Sequence, residues 1–327
     1  MNPVAVVGAG AFGARHVAAY RSLDVPVAAL VDPDRAARER LAAEYGVPHT
    51  HATVDELLAA GPVAAASVCT PGPTHRAVAT ALLTAGVPVL VEKPLATTVA
   101  DAEAIVAVAG STGVLCQPGH ILRFSAPHRA LHDAVRAGRL GDVLAVSSRR
   151  DRPRTLSRLF PGDHPALLTA VHDVDLALWY AGAPVVEVRA TARTRTGAEA
   201  PVLVFAELRH ANGVVSSIRN SYLLPEDAPN HTSDLVEVYG TGGVGHVDLA
   251  QPTLLVQAEQ AQAPDWLLSP SGGGGALAAE LRHFLARVTG AHPTAVVPLA
   301  DGLHVVRVAA AMVDSATAGG ETRRITS

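Results

Sequence analysis

The first residues that could do chemistry are the glycines of Gly8-Ala-Gly-Ala-Phe-Gly13, which follow the apolar run Val4–Val7. Between a strand and a helix, the first glycine permits a tight turn, the second lets the backbone approach a pyrophosphate, and the third lets the helix pack closely on the strand. Ala11 and Phe12 begin that helix, whose free N–H groups attract an anion. Gly8, Gly10, Ala11, Phe12 and Gly13 are therefore predicted to hold the pyrophosphate of a dinucleotide.

An acid ends the next predicted strand, Val27–Val31. Asp32 lies 19 residues after Gly13, where a carboxylate accepts hydrogen bonds from the 2′- and 3′-hydroxyls of an adenosine ribose. A 2′-phosphate would meet this negative charge, so Asp32 favours NAD over NADP as the cofactor. Arg35 and Arg38 lie close enough to keep NADP open as an alternative.

The tripeptide Glu92-Lys93-Pro94 follows another apolar run, Val87–Val91. Ligands of open α/β sheets bind beyond the carboxyl ends of the strands, so Glu92 and Lys93 are predicted to lie beside the nicotinamide. Lys93 could hold a substrate hydroxyl and stabilise the oxyanion that develops during hydride transfer. A solvated lysine after a strand is the competing interpretation.

Three further residues follow the strand predicted at Ala64–Val68. Thr70 and Pro71 form a turn, and His75 begins a helix. They could line the same cofactor groove, because they leave the sheet at the same edge. A plain turn and a helix-start histidine explain the spacing equally well.

A second cluster, His172-Asp173-Val-Asp175, opens a helix later in the chain. Histidine is the natural proton carrier near neutral pH, and a helix N-terminus lowers its proton affinity, which suits a base that starts neutral. Asp173 and Asp175 are candidate substrate contacts. Acids in the first turn of a helix also stabilise its dipole without any further role.

Two polar residues stand near the predicted domain junction, in Gly119-His120-Ile-Leu-Arg123. His120 and Arg123 are candidate substrate contacts, and Arg123 could bind an anionic group. The basic stretch Arg149–Arg154 could add to a phosphate or carboxylate site. Solvated surface arginines are the alternative.

The elements that must position these residues change in character near residue 121. Before it, short apolar runs alternate with helical patterns, which predicts a parallel sheet. After it, the pattern is mainly strands, the last at Thr253–Val256, with two closing helices. We therefore predict an α/β chain with a Rossmann dinucleotide-binding domain over residues 1–121. Residues 122–327 should form a substrate-binding α+β domain with a large, mainly antiparallel open sheet.

The composition bounds the class of protein. The 327 residues suffice for two domains, and the net charge of −4 without a long basic run argues against nucleic acid or a membrane as a partner. No stretch of about 18 apolar residues lacks Gly, Pro or charge, so the expected location is cytoplasmic. Cys69 and Cys116 match no metal-site spacing, so no metal is predicted and both thiols are expected to be buried.

Taken together, these motifs resemble the glucose–fructose oxidoreductase/inositol dehydrogenase family (Gfo/Idh/MocA). The resemblance spans nearly the whole chain and includes Val236-Glu-Val-Tyr-Gly-Thr-Gly-Gly243 and Ala300-Asp-Gly302. It implies an NAD(P)-dependent oxidoreductase that acts on a sugar, cyclitol or nucleotide-linked sugar, with Lys93 and His172 as the catalytic residues. Because few helices are available to cover the second sheet, a homodimer or homotetramer through its open face is expected.

One position departs from the family pattern. Many members carry an acid four residues before the catalytic histidine, and here that residue is Leu168. Asp173, Asp175 or Asp163 could substitute for it, the reaction could run mainly as ketone reduction, or catalysis could be lost. Leu168 therefore keeps a catalytically silent NAD-binding sensor or partner-binding protein as an alternative. The resemblance also leaves an NAD-dependent glycosidase, which is another use of this fold.

Overall fold

The computed structural model describes residues 3–160, 162–228, 232–249 and 275–325. The chain forms two compact units, and the first contains residues 3–125 together with residues 275–303. The predicted boundary after residue 121 thus lies four residues from the break after residue 125. Residues 275–303, expected in the second domain, belong to the first. The strand predicted at Thr253–Val256 lies outside the described residues.

The first unit contains a six-stranded parallel sheet in the order β3-β2-β1-β4-β5-β6. Its central strands are runs of buried Val, Ala and Leu, as expected for parallel strands that are covered on both faces. The edge strand β3 was not predicted, because its sequence His-Thr-His is polar. The strands are β1 (Val4–Val7), β2 (Val27–Val31), β3 (His49–His51), β4 (Ala66–Val68), β5 (Val89–Glu92) and β6 (Cys116–Gly119).

Helices connect these strands and cover both faces of the sheet. Local signals fix several of their ends: the side chains of Asp34, Thr53 and Thr98 accept N-terminal backbone N–H groups, and Gly46 and Gly113 take left-handed conformations at C-termini. The helices are α1 (Ala11–Ser22), α2 (Arg35–Tyr45), α3 (Val54–Ala60), α4 (His75–Thr84) and α5 (Val99–Thr112), joined from late in the chain by α10 (Ala276–Val288). The last of these packs against α1.

The second unit contains a seven-stranded sheet in the order β12-β11-β7-β10-β9-β8-β13, in which only β7 and β10 pair in parallel. This arrangement confirms the predicted, mainly antiparallel sheet. The strands are β7 (Val143–Pro153), β8 (Val185–Arg193), β9 (Leu203–His210), β10 (Val215–Leu224), β11 (Ser233–Gly240), β12 (Gly243–Asp248) and β13 (Arg323–Arg324). The helices are α6 (Ala126–Arg136), α7 (Thr155–Leu159), α8 (Pro165–Leu168), α9 (Val171–Ala181) and α11 (Leu299–Thr317), whose residues from His304 onward belong to this unit.

The two faces of this sheet differ in burial. One face packs against α9 and α11, and its core includes Val188, Val204, Ile218, Val174 and Met312. The strand registers place the alternate residues on the other side. There the largest apolar side chains, which are 36–55% exposed, are Phe205, Val215, Tyr239 and Val244. We call this side the open face.

Among the described residues, no helix combines the length and the apolar character needed to cross a bilayer.

Candidate active site

Of the three glycines in the turn between β1 and α1, only Gly10 has free space where a side chain would lie. Gly8 has a φ of +104°, and a Cβ there would lie 2.7 Å from the carbonyl carbon of Cys69. A Cβ on Gly13 would overlap the Gly8 carbonyl oxygen, whereas nothing lies within 4 Å of a Cβ built on Gly10. Gly8 and Gly13 are thus needed for backbone packing. Gly10 borders free space at the N-terminus of α1, where a pyrophosphate would fit.

Asp32 joins this turn to the end of β2. Its Oδ2 accepts a hydrogen bond from the Ala9 N–H at 2.7 Å, and its Oδ1 accepts one from the Asp34 N–H at 2.8 Å. Each carboxylate oxygen keeps a further lone pair for a ribose hydroxyl. Arg35 pairs with Glu39 in solvent, and Arg38 donates to the Asp32 carbonyl at 3.0 Å.

Glu92 holds the backbone of Lys93. The N–H of Lys93 donates to Oε2 of Glu92 at 3.2 Å, and Nε2 of His16 lies 2.9 Å from Oε1. Both His16 and Glu92 are buried. The sequence placed Glu92 among the cofactor contacts. In the structure its carboxylate contacts His16 and the backbone of Lys93, and a role in cofactor binding stays a prediction.

Sequence reasoning missed His16. The available signal was its spacing, because Phe12, His16 and Tyr20 follow each other at four-residue intervals along one face of α1. The same face places the Tyr20 hydroxyl 2.8 Å from Oγ of Ser67. A polar layer therefore lies between α1 and the sheet.

The two cysteines are poor nucleophiles. Burial raises the pKa of Cys69 well above its ordinary value, and the charges of Glu92 and Glu280 raise it further. Burial alone raises the pKa of Cys116 to about 12. Since the thiolate is the reactive form, both thiols are unreactive. Cys116 is buried as the sequence predicted, whereas Cys69 is half-buried.

His75 contacts two main-chain carbonyl groups. Its Nε2 lies 2.7 Å from the oxygen of Thr70, and its Nδ1 lies 2.9 Å from the oxygen of Pro94. The ring is 1% exposed and connects the turn after β4 with the turn after β5. Its ring nitrogens face the backbone, and the predicted contact of His75 with the cofactor stays a prediction.

The turn after β4 also presents a polar atom with no partner. Oγ1 of Thr70 is buried and accepts or donates no hydrogen bond within the described parts of the chain. The backbone of Cys69 and Thr70 lies against Gly8. A hydroxyl next to the glycine turn suits a bound dinucleotide, and the cofactor contacts of Thr70 and Pro71 stay predictions.

His120 and Arg123 are both buried, with exposures of 1% and 2%. Nη1 of Arg123 donates to Asp301 at 2.8 Å and to the Val296 carbonyl at 3.1 Å. This guanidinium thus fixes residues 296–301 within the first unit, and the predicted contact between Arg123 and a substrate anion stays a prediction. For His120, a substrate contact stays a prediction.

In the second unit, α9 carries the His172 cluster. His172 is half-buried in the first turn, and its N–H donates to the Thr169 carbonyl at 3.1 Å. Asp175 is buried one turn further on. Their predicted roles in proton transfer and substrate binding stay predictions.

Asp173 pairs with a buried arginine. It accepts two hydrogen bonds from Arg150, from Nε at 2.9 Å and from Nη2 at 3.1 Å, while Nη1 of Arg150 donates to Asp234 at 2.9 Å. All three side chains are buried, and Arg152 also pairs with Asp234. Arg150 and Arg152 are thus paired with acids, and the predicted substrate contact of Asp173 stays a prediction.

Leu168 ends α8 immediately before a buried polar group. Oγ1 of Thr169 donates to Asn220 at 2.7 Å and lies 2.9 Å from the Tyr222 hydroxyl. Burial raises the pKa of Tyr222, so its hydroxyl stays protonated near neutral pH. Of the acids considered as substitutes for the missing carboxylate, Asp173 is committed to Arg150 and Asp163 is exposed.

Comparison with family models matches both parts of the chain. Residues 3–120 match the model of the oxidoreductase family with an NAD-binding Rossmann fold. Residues 128–246 match the Gfo/Idh/MocA C-terminal domain.

Two relatives are similar to this chain in sequence. The 4-carboxy-2-hydroxymuconate-6-semialdehyde dehydrogenase of a Sphingobium species is 35% identical over 55% of this chain and 59% of its own length. Inositol 2-dehydrogenase 1 of Saccharopolyspora erythraea is 36% identical over 60% of this chain and 59% of its own length. The matched part thus covers less than two thirds of either relative.

A solved structure shows the same fold. The scyllo-inositol dehydrogenase of Lactobacillus casei, crystallised with NAD(H) and scyllo-inositol, superposes with a TM-score of 0.87 over 100% of both chains. The sequence identity is 19%, so this likeness shows the fold alone.

Proposed function

This chain belongs to the Gfo/Idh/MocA oxidoreductase family, and from that membership we propose that it is an NAD(H)-dependent enzyme. The proposed reaction interconverts a secondary alcohol and a ketone on a sugar, cyclitol or sugar nucleotide. The single observation that carries the proposal is the presence of Lys93 at its position in the fold. It is the only lysine among 26 basic residues, and it stands at the carboxyl end of β5 in the unit that contains the glycine turn.

A lysine differs from an arginine at this position in its ability to transfer a proton. Arginine stays protonated in proteins, whereas a lysine amine gives up and takes back a proton when its surroundings shift its equilibrium. All the remaining basic residues among lysine and arginine are arginines in this chain. A lysine at this one position fits a need for proton transfer there. The ammonium of Lys93 would hold the substrate oxygen and stabilise its developing negative charge.

The first unit fits the coenzyme. Gly10 and the N-terminus of α1 would hold the pyrophosphate, Asp32 would accept the ribose hydroxyls, and the unpartnered hydroxyl of Thr70 would face the bound molecule. Bound nicotinamide supplies the site that accepts or gives a hydride. Asp32 supports NAD over NADP, because its negative charge would repel a 2′-phosphate and Arg35 pairs with Glu39.

His172 is proposed as the second group that moves the proton, and Asp175 as a substrate contact. Support comes from the first-turn position of His172 on α9, where the helix dipole favours a neutral imidazole. A cyclitol or sugar as substrate is supported by the name of the Saccharopolyspora relative, an inositol 2-dehydrogenase.

The test is NADH formation or consumption over a panel of polyols, keto-sugars and sugar nucleotides. Wild type is compared with Lys93→Ala, and with Arg35→Ala as a surface control. We expect turnover on at least one panel member, a loss of at least about 100-fold in Lys93→Ala, and unchanged NADH affinity. Full turnover by Lys93→Ala would refute the proposal. Release of free sugar without net NADH would instead indicate an NAD-dependent glycosidase.

A second candidate function has one observation in its favour. Leu168 cannot accept a proton where many family members carry an acid, so a catalytically silent NAD-binding sensor is the competing proposal. It predicts coenzyme binding without turnover on the whole panel. Leu168→Asp would then gain activity only if Lys93 and His172 are otherwise competent.

We also propose that two or more copies associate through the open face. Phe205, Val215, Tyr239 and Val244 expose apolar surface there, beside charged pairs such as Arg219 and Asp151 at 3.1 Å. Sedimentation velocity should show a dimer or tetramer for wild type and a smaller species for Phe205→Arg. Leu159→Arg, at an exposed apolar residue of α7, is the control.

A further inference from the structure

A buried polar cluster in the second unit is centred on the Thr169 hydroxyl. Oγ1 of Thr169 donates to Oδ1 of Asn220 at 2.7 Å and lies 2.9 Å from the Tyr222 hydroxyl. The Pro165 carbonyl oxygen lies 3.3 Å from the same Oγ1. Asn220 and Tyr222 stand two residues apart on β10, so both side chains lie on the face of the sheet that packs against α9 and α11.

The hydrogen bonds of this cluster do not use all of its polar atoms. The Thr169 hydroxyl has one proton, and the oxygens of Asn220 and Pro165 can only accept it. The contact between Thr169 and Tyr222 is therefore favourable when the tyrosine donates, which leaves its phenol oxygen able to accept a further hydrogen bond. Nδ2 of Asn220 carries two protons, and it is buried without a hydrogen-bond partner in the described part of the chain.

The two side chains offer a donor and an acceptor next to each other, because both contact the same Thr169 oxygen. A hydroxyl group complements this pair, since it accepts a hydrogen bond and donates one. A carboxylate only accepts and would match the Asn220 amide alone. An apolar group would match neither atom and would leave a buried polar group unpaired, which is costly.

The cluster adjoins the residue proposed for proton transfer. The Thr169 carbonyl accepts the N–H of His172 at 3.1 Å, and Leu168 directly precedes Thr169. We propose that Asn220 and Tyr222 bind a hydroxyl group of the substrate, other than the one assigned to Lys93, and so select a polyol over a substrate that lacks this hydroxyl. The inference rests on the proposed function for the reaction itself, and it adds the part of the substrate that the second unit recognises.

The test combines enzyme variants with deoxy analogues of a panel substrate, each lacking one hydroxyl. kcat/KM is measured for wild type, Asn220→Leu and Tyr222→Phe. For wild type, we expect one analogue, altered away from the reacting carbon, to react about 10- to 100-fold more slowly than the parent substrate. Each variant should lose at least about fivefold on the parent but stay within about twofold of wild type on that analogue, because variant and analogue remove the same hydrogen bond.

The control is Tyr45→Phe, which removes a hydroxyl from α2 in the first unit and should leave kcat/KM unchanged on every substrate. Equal losses on the parent and on all analogues would mean that Asn220 and Tyr222 only support the fold or hold an internal water, and would overturn the proposal. Unchanged kcat/KM in both variants would overturn it too. Tyr222→Phe keeps the ring, so it decides the question if Asn220→Leu does not fold.

Failure of the proposed function has a different signature. If wild type turns over no panel member, the binding of the same polyols and sugars to wild type and to Tyr222→Phe is measured by calorimetry. Binding that wild type shows and Tyr222→Phe loses by at least about fivefold would support the hydroxyl site while the proposed reaction fails. Wild type that binds no hydroxylated panel member would overturn the hydroxyl site as well.

Discussion

Nε2 of His16 lies 2.9 Å from Oε1 of Glu92, and the other oxygen of that carboxylate accepts the N–H of Lys93 at 3.2 Å. One buried acid thus connects helix α1, which begins at the glycine turn, with the backbone of the lysine proposed to bind substrate. The link joins the two halves of the proposed chemistry, coenzyme binding and proton transfer, within one unit.

Replacing Glu92 by glutamine tests this link. The amide keeps one acceptor oxygen but cannot accept from His16 and from Lys93 N–H together, so Lys93 loses part of its orientation. We expect kcat to fall about tenfold while the NADH dissociation constant stays within about twofold. Steady-state kinetics and NADH fluorescence give the two values, with the exposed Glu39→Gln as control. A drop in affinity at constant kcat would show that Glu92 serves the coenzyme instead.

Two glycine substitutions distinguish a glycine that backbone packing requires from one that borders the predicted pyrophosphate site. Gly13→Ala places a Cβ onto the Gly8 carbonyl oxygen, so we expect a loss of at least about 3 kcal/mol in unfolding free energy or failure to fold. Gly10→Ala meets no atom of the chain within 4 Å, so its stability should stay within about 1 kcal/mol while coenzyme affinity falls at least about tenfold. Denaturant unfolding and NADH titration measure both. Equal stability loss in the two variants would contradict this division.

Asp32 should set the preference between the two coenzymes. Asp32→Ser removes the charge and the acceptors for ribose hydroxyls, so NADH affinity should fall about tenfold and the NADH/NADPH preference should shrink. Arg35→Ala should leave both affinities unchanged, because Arg35 pairs with Glu39 at 2.7 Å in solvent. Binding titrations with both coenzymes test this, and an altered preference in Arg35→Ala would show that Arg35 contacts the 2′ position.

His128 should make the fold less stable in acid. Burial, followed by the charge of Arg150, lowers the pKa of His128 from 6.5 to about 3. Between these values the unfolded chain binds the proton that the folded chain excludes, so stability falls as pH falls below about 6.5. From pH 7 to pH 5 the loss from this group is about 2 kcal/mol.

His128→Gln keeps a polar partner for the Tyr180 hydroxyl and removes the titration. Its unfolding free energy, measured in urea at pH 7 and pH 5, should change by about 2 kcal/mol less than that of wild type. Identical pH dependence in both proteins would mean that His128 is charged in the folded state.

The glycine turn and Asp32 were predictable because their signal is local. A strand, a turn, a helix and an acid occur within some thirty residues, and each has its own spacing rule. The same holds for Lys93, which directly follows a strand. The edge strand His49–His51 escaped notice because three polar residues carry no alternating pattern.

The structural partners of other candidate residues lie far away in the sequence. Arg123 pairs with Asp301, 178 residues later, and no periodicity links the two positions. Asp173 sits in a first helical turn, where the pattern is the same whether the acid binds substrate or Arg150. Which side chains meet across a core is decided by tertiary packing, and one sequence does not contain that information in readable form.

Residues 275–303 belong to the first unit, although they are translated after most of the second unit. Residues 3–125 are translated before α10. The surface of α1 that α10 covers therefore stays uncovered while some 150 further residues are translated. At ordinary elongation rates this interval is roughly ten to thirty seconds. The nascent coenzyme unit therefore presents an uncovered face during that time, and chaperone binding to ribosome-bound chains should end when α10 emerges.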